Sequence, residues 1–129
     1  MNKKLKYIYY SFDGKLVGNK KMKISVLETL SKMPEEIIEY ITKNCWFFAS
    51  MEDAYGYTFN GNDLKNQHLI FLSDELLFQS NEQIQYTIAH EIGHVILRHR
   101  NSVLERQSKE EIRKQEREAD IFAKKFSYE

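Results

Sequence analysis

The sequence predicts an α+β fold: a small, mostly antiparallel sheet packed with helices, followed by two long C-terminal helices. Three observations lead there. Apolar runs flank Asp13-Gly14, a dipeptide suited to a hairpin turn. Three short runs rich in aromatic and β-branched residues, "CWFFAS", "YGYTFN" and "HLIFLS", fall between positions 45 and 73. The last third of the chain then changes to helical periodicity, with few turn residues.

The 129 residues suit one domain, spanning 1–129, with no repeat, low-complexity tract or Pro/Gly-rich linker to divide it. A 42% hydrophobic and 13% aromatic composition is that of a globular chain. The formal net charge is zero, from 19 basic and 19 acidic residues, which leaves no electrostatic footprint for nucleic acid or an anionic membrane. Cys45 is the single cysteine, so no internal disulfide forms. It reads as a small buried apolar residue, because no neighbour in sequence could activate a thiol. The start "MNKKLKYIYYSF" is basic, but its apolar run is short and tyrosine-rich, unlike a signal peptide, and no stretch has the length of a membrane span. A soluble, cytoplasmic protein is expected.

Taken in order, "LKYIYYSF" and "KLVGNKKMKIS" read as the two arms of a hairpin about Asp13-Gly14. "SVLETLSKM" reads as a short helix. Pro34 opens another at its first helical position, with Glu35 and Glu36 at the positive end of the dipole and Ile37, Ile38 and Ile41 as its apolar stripe, ending near Asn44. The three strand candidates follow as a small antiparallel sheet, punctuated by Gly56 and Gly61. A helix then starts at Ser80, whose spacing to Gln83 is that of a capping box, and runs to about Arg98. "RNSVLERQS" joins it to a last helix over roughly Lys109 to Phe126.

The chemistry is concentrated in "YTIAHEIGHVILRH", which holds three of the four histidines. At about 100° per residue, Ile84, Ile88, Ile92, Val95 and Ile96 share one face, while His90 and His94 fall together on another. Glu91 sits beside the histidine face. Ala89 and Gly93, also four apart, would let another helix come close. This is the H-E-x-x-H arrangement. Two neutral imidazoles bind Zn²⁺ and leave room for a third ligand and a water. The metal lowers the pKa of that water to about 7, and the carboxylate takes its proton and passes it to the leaving amine. His99 falls near the apolar face and reads as a helix-end residue outside the site.

Helical geometry also ranks the carboxylates of "KQEREADIFAKKF". With Ile112, Ala119, Phe122, Ala123 and Phe126 as the inward stripe, Glu116 lies roughly 60° from its centre and Glu118 roughly 95° away on the other flank. Glu116 is the preferred third ligand. Asp120, one turn on, is placed to accept an N–H from a metal-bound histidine.

"AHEIGHVILRH" followed by "EREADIFA" resembles the gluzincin metallopeptidases, and most of all the small ImmA/IrrE-type proteins. Their pattern is H-E-x-G-H, then a Glu four residues before an Asn or Asp, then an apolar residue and alanine. It falls here on His90, Glu91, Gly93, His94, Glu116, Asp120, Phe122 and Ala123, and the resemblance spans about Gln67 to Phe126. It implies a zincin-like fold and a zinc metallopeptidase in which His90, His94 and Glu116 bind Zn²⁺, Glu91 is the general base and acid, and Asp120 orients a ligand. It further implies a protein or peptide substrate, such as the repressor of a mobile element or phage, and an exposed "HLIFLS" edge against which an extended peptide could pair. Tyr86, Tyr57 and His68 are open candidates for the oxyanion donor. Two rival readings remain: a zincin-fold binding or regulatory module with little peptidase activity, and a structural zinc site. The intact Glu91 argues against the first, and the lack of an evident fourth protein ligand argues against the second.

Overall fold

The computed structural model describes residues 2–50, 56–59, 67–97 and 108–127. Their order is α1 (Lys3–Ser11), β1 (Leu16–Val17), α2 (Lys20–Ser31), α3 (Glu35–Asn44), β2 (Cys45–Ser50), β3 (Gly56–Phe59), β4 (His68–Ser73), a 3₁₀ turn (Asp74–Phe78), α4 (Asn81–Ile96) and α5 (Lys109–Ser127).

The N-terminal hairpin is not there. Its first arm is α1, capped by Asn2, whose side chain accepts from the Leu5 amide at 2.9 Å. An N-cap of this kind is worth about 1 kcal/mol. The helix also satisfies the core better than a strand would. Leu5, Ile8 and Phe12 fall on one face and are buried, whereas Tyr10, which a strand would place beside Ile8, is 75% exposed. Asp13 and Gly14 do adopt the positive φ that a tight turn needs, at 50° and 86°. They use it to end the helix and lead the chain into β1. The second arm is divided between the two residues of β1 and the start of α2, which Asn19 caps through the Met22 amide at 2.8 Å. Pro34 stands at the N-cap of α3, one position earlier than expected, and the helix ends at Asn44 as its pattern predicts.

The sheet is mixed, not mostly antiparallel. Its order is β1-β2-β4-β3, with β1–β2 and β2–β4 parallel and only β3–β4 antiparallel. Once α1 and α2 replace the hairpin, β1 reaches β2 through the two helices α2 and α3, and a long helical connection is what parallel pairing requires. Phe47 fixes this junction: its amide donates to the Lys15 carbonyl at 2.9 Å and its ring meets Phe12 edge-on at 5.7 Å. The chain then places β3 at the border and returns β4 between β3 and β2, so "HLIFLS" is an interior strand. The expectation that its edge is exposed fails, because both its sides already carry strand partners.

Alternation sorts the sheet faces. Cys45, Phe47, His68, Ile70 and Leu72 are buried, while Trp46, Phe48 and Phe71 stack in a row on the opposite face. The core is completed by Met22, Val26, Leu27 and Leu30 of α2 and by Ile84, Ile88, Ile92 and Val95 of α4, all nearly inaccessible to solvent. α4 therefore lies between α2, the sheet and α5. It begins as expected, with Ser80 accepting from the Gln83 amide at 3.1 Å. No helix among the described residues is long and apolar enough to cross a membrane.

Candidate metal centre

The two elements that carry the chemistry, α4 and α5, pack directly on each other. Small residues make this possible. Ala89, Ala119 and Ala123 are fully buried. At Gly93 a Cβ would sit only 3.1–3.3 Å from Cδ1, Cγ and Cβ of Phe122, so glycine admits the Phe122 ring against the α4 backbone. The inward stripe of α5 is otherwise as predicted apart from Ile112, which is 45% exposed, near the start of the helix.

This close approach brings Glu116 of α5 to the histidine face of α4. His90 Nε2 lies 2.9 Å from Glu116 Oε2, His94 Nε2 lies 3.2 Å from Glu116 Oε1, and the two Nε2 atoms are 3.2 Å apart. One ligand atom from each of the three residues falls within 4.8 Å of the others. Two imidazole nitrogens and a carboxylate oxygen are the donors a borderline divalent metal takes. A tetrahedral centre with bonds of about 2.0–2.1 Å spaces its ligand atoms by about 3.3 Å, so the observed separations fit such an ion with little adjustment. Glu118 is not among the three. His99 lies outside the described residues.

The charges are arranged to match. The hydrogen bonds from His90 and then His94 hold the Glu116 carboxyl well below the usual carboxylate range. Burial of His90 works to lower its pKa, but the hydrogen bond to Glu116 and the charges of Glu91, Glu116 and Asp120 outweigh it, and the net direction is up. Without a metal the carboxylates thus favour a proton on His90, and a metal would have to displace it. Glu91, between the histidines in sequence, is buried.

Asp120 reaches the same histidine from behind. Its Oδ1 is 2.9 Å from His90 Nδ1, although the buried Nδ1 is outside the angular range of a hydrogen bond. The same oxygen accepts from the Tyr86 hydroxyl at 2.7 Å. Tyr86, one of three candidate oxyanion donors in the sequence, is thus engaged with Asp120. Its spacing of four before His90 on one helix was the signal that the two share a face. His68 is buried at the start of β4, with its Nε2 3.0 Å from the Tyr40 hydroxyl, and does not join the cluster. The side chain of Tyr57 lies outside the described part of the structure.

The fold and site thus define a two-helix cluster of H-E-x-x-H histidines and a distant glutamate, of the kind that holds a metal. Residues 67–129, just under half of the chain, match the family model described as Peptidase U49. That match supports a peptidase, and its span takes in β4, α4 and α5, the elements that build the cluster. No curated protein and no solved structure matches the chain.

Proposed function

We propose that the protein is a zinc-dependent metallopeptidase of the gluzincin type, with His90, His94 and Glu116 as ligands of Zn²⁺. The observation that supports this most is the convergence of those three donors, with Glu116 lying 26 residues beyond His90 and on a different helix, in a segment that matches a peptidase family. A zinc ion held by His90, His94 and Glu116 would supply Lewis acidity and lower the pKa of a bound water to about 7. Glu91 then serves as the proton carrier: its carboxylate accepts the proton of the attacking water and delivers it to the departing amine. Asp120 orients His90 from behind. α5 positions Glu116, and the buried apolar face of α4 keeps the histidine pair fixed on the core.

The substrate in this reading is a protein or peptide. The resemblance to ImmA/IrrE-type proteins favours a cytoplasmic regulatory protease acting on a repressor of a mobile element or phage. The test combines metal analysis with cleavage. The purified protein should take up about one zinc per chain and His90→Ala should lose it. Glu91→Gln should retain zinc and lose cleavage of a protein substrate that the wild type cleaves. Absence of metal in the wild type under excess zinc would overturn the metal site, and undiminished cleavage by Glu91→Gln would remove Glu91 from the mechanism.

A further inference from the structure

Among the contacts that join α4 to α5 at the cluster, two are set four residues apart along both helices. His90 meets Glu116, and Tyr86 meets Asp120. The second contact has no evident chemical use of its own, yet it ends on the oxygen that lies 2.9 Å from His90 Nδ1. Asp120 is 46% exposed along its side chain, so a carboxylate left to itself there would spread over several rotamers and turn toward water. The Tyr86 hydroxyl, at 2.7 Å, removes that freedom. The Tyr86 ring packs one turn from the histidine, with ring centroids 6.4 Å apart.

We propose that Tyr86 is a positioning residue: by donating to Asp120 Oδ1 it holds that carboxylate against His90 Nδ1, so that Nε2 is the nitrogen turned toward His94 and Glu116. A histidine ligates well when its other nitrogen donates to a fixed acceptor, because this sets both the tautomer and the ring direction. His90 Nδ1 is buried, lies 2.9 Å from Asp120 Oδ1 and has no hydrogen bond to any other group. The inference rests on the metal-site reading above.

Tyr86→Phe keeps the ring and removes only the hydroxyl. Zinc affinity would be measured by chelator competition on the full chain, alongside the visible absorption of the cobalt-substituted protein and the melting temperature of the metal-free form. Asp120→Asn should weaken zinc about 10–100-fold, the usual loss for a partner behind a ligand. Tyr86→Phe should weaken it about three- to tenfold, and the double variant should bind no more weakly than Asp120→Asn alone, because the tyrosine acts only through the aspartate. Both single variants should shift the cobalt bands in the same direction. A Tyr86→Phe protein with wild-type zinc affinity and cobalt spectrum overturns the proposal, even if its metal-free form melts earlier, because that is the mark of a simple tie between helices. Losses that multiply in the double variant overturn it as well. A wild-type protein that binds neither ion overturns the metal reading itself, and is recognised before any variant is compared.

Discussion

Gly93 is the position at which packing and chemistry are most directly joined. A Cβ there would already stand 3.1 Å from the Phe122 ring, a few tenths of an ångström inside ordinary contact, and valine adds two further methyl groups. Overpacking of this kind costs about 1–3 kcal/mol. Replacing a helical glycine by valine returns about 0.4 kcal/mol of helix propensity, which leaves a net strain of roughly 0.6–2.6 kcal/mol. The strain is relieved if α5 moves outward, but that carries Glu116 away from His90 and His94. In Gly93→Val it is therefore expressed as a lower melting point, by about 3–10 °C for a domain of this size, or as weaker metal binding, by about 5–30-fold for 1–2 kcal/mol. Thermal unfolding with and without zinc, together with chelator competition, separates the two. Adding Phe122→Ala to Gly93→Val should recover at least about 1 kcal/mol relative to the sum of the single changes. A Gly93→Val protein with unchanged melting temperature and unchanged zinc affinity refutes the tight seam between Gly93 and Phe122.

Three further outcomes are expected. Glu116→Ala should lose zinc affinity while Glu118→Ala retains it in a chelator assay; the reverse order would show that α5 presents its other flank. Ile8→Ala should destabilise the fold by about 2–5 kcal/mol and Tyr10→Ala by less than about 1, read from denaturant midpoints; equal costs would favour a strand, in which the two residues share a face. Burial pushes the Cys45 thiol up, far from its reactive range, so an aromatic disulfide reagent should label it only after unfolding, and prompt labelling of the native protein would contradict its place in the core.

The parts of this protein that could be read from sequence are those fixed by local geometry. H-E-x-x-H spacing alone puts His90 and His94 on one face of α4, apart from its isoleucine stripe, and the Ser80 cap marks where that helix begins. The same phase argument favoured Glu116 over Glu118 and left Asp120 one turn behind. Those residues meet as the helical phase requires. The N-terminal half was far less legible. "LKYIYYSF" alternates well enough to pass for a strand, and Asp13-Gly14 has the backbone freedom of a hairpin turn. The choice of α1 rests on the Asn2 cap and on burying Leu5, Ile8 and Phe12 together in the core, where Phe12 meets Phe47 of β2, more than thirty positions away.

The sheet is no more legible. Three short strand segments in succession suggest antiparallel pairing and the family resemblance an exposed "HLIFLS" edge, and neither conveys the crossover through α2 and α3 that pairs β1 with β2 in parallel. Strand order and direction depend on which distant segments pair, and hydrogen-bonding strands carry no local record of their partner. The sequence by itself determined a histidine pair with a carboxylate beside it, the helix that carries them, and a short set of acidic residues from which a third ligand could come. Only the tertiary structure decided that α5 comes close enough for Glu116 to reach both histidines. It alone showed that Gly93 receives Phe122 at that seam, and that Tyr86 turns to Asp120. These are distances between helices, set by the packing of small and large side chains across the interface, and periodicity within either helix says nothing about them.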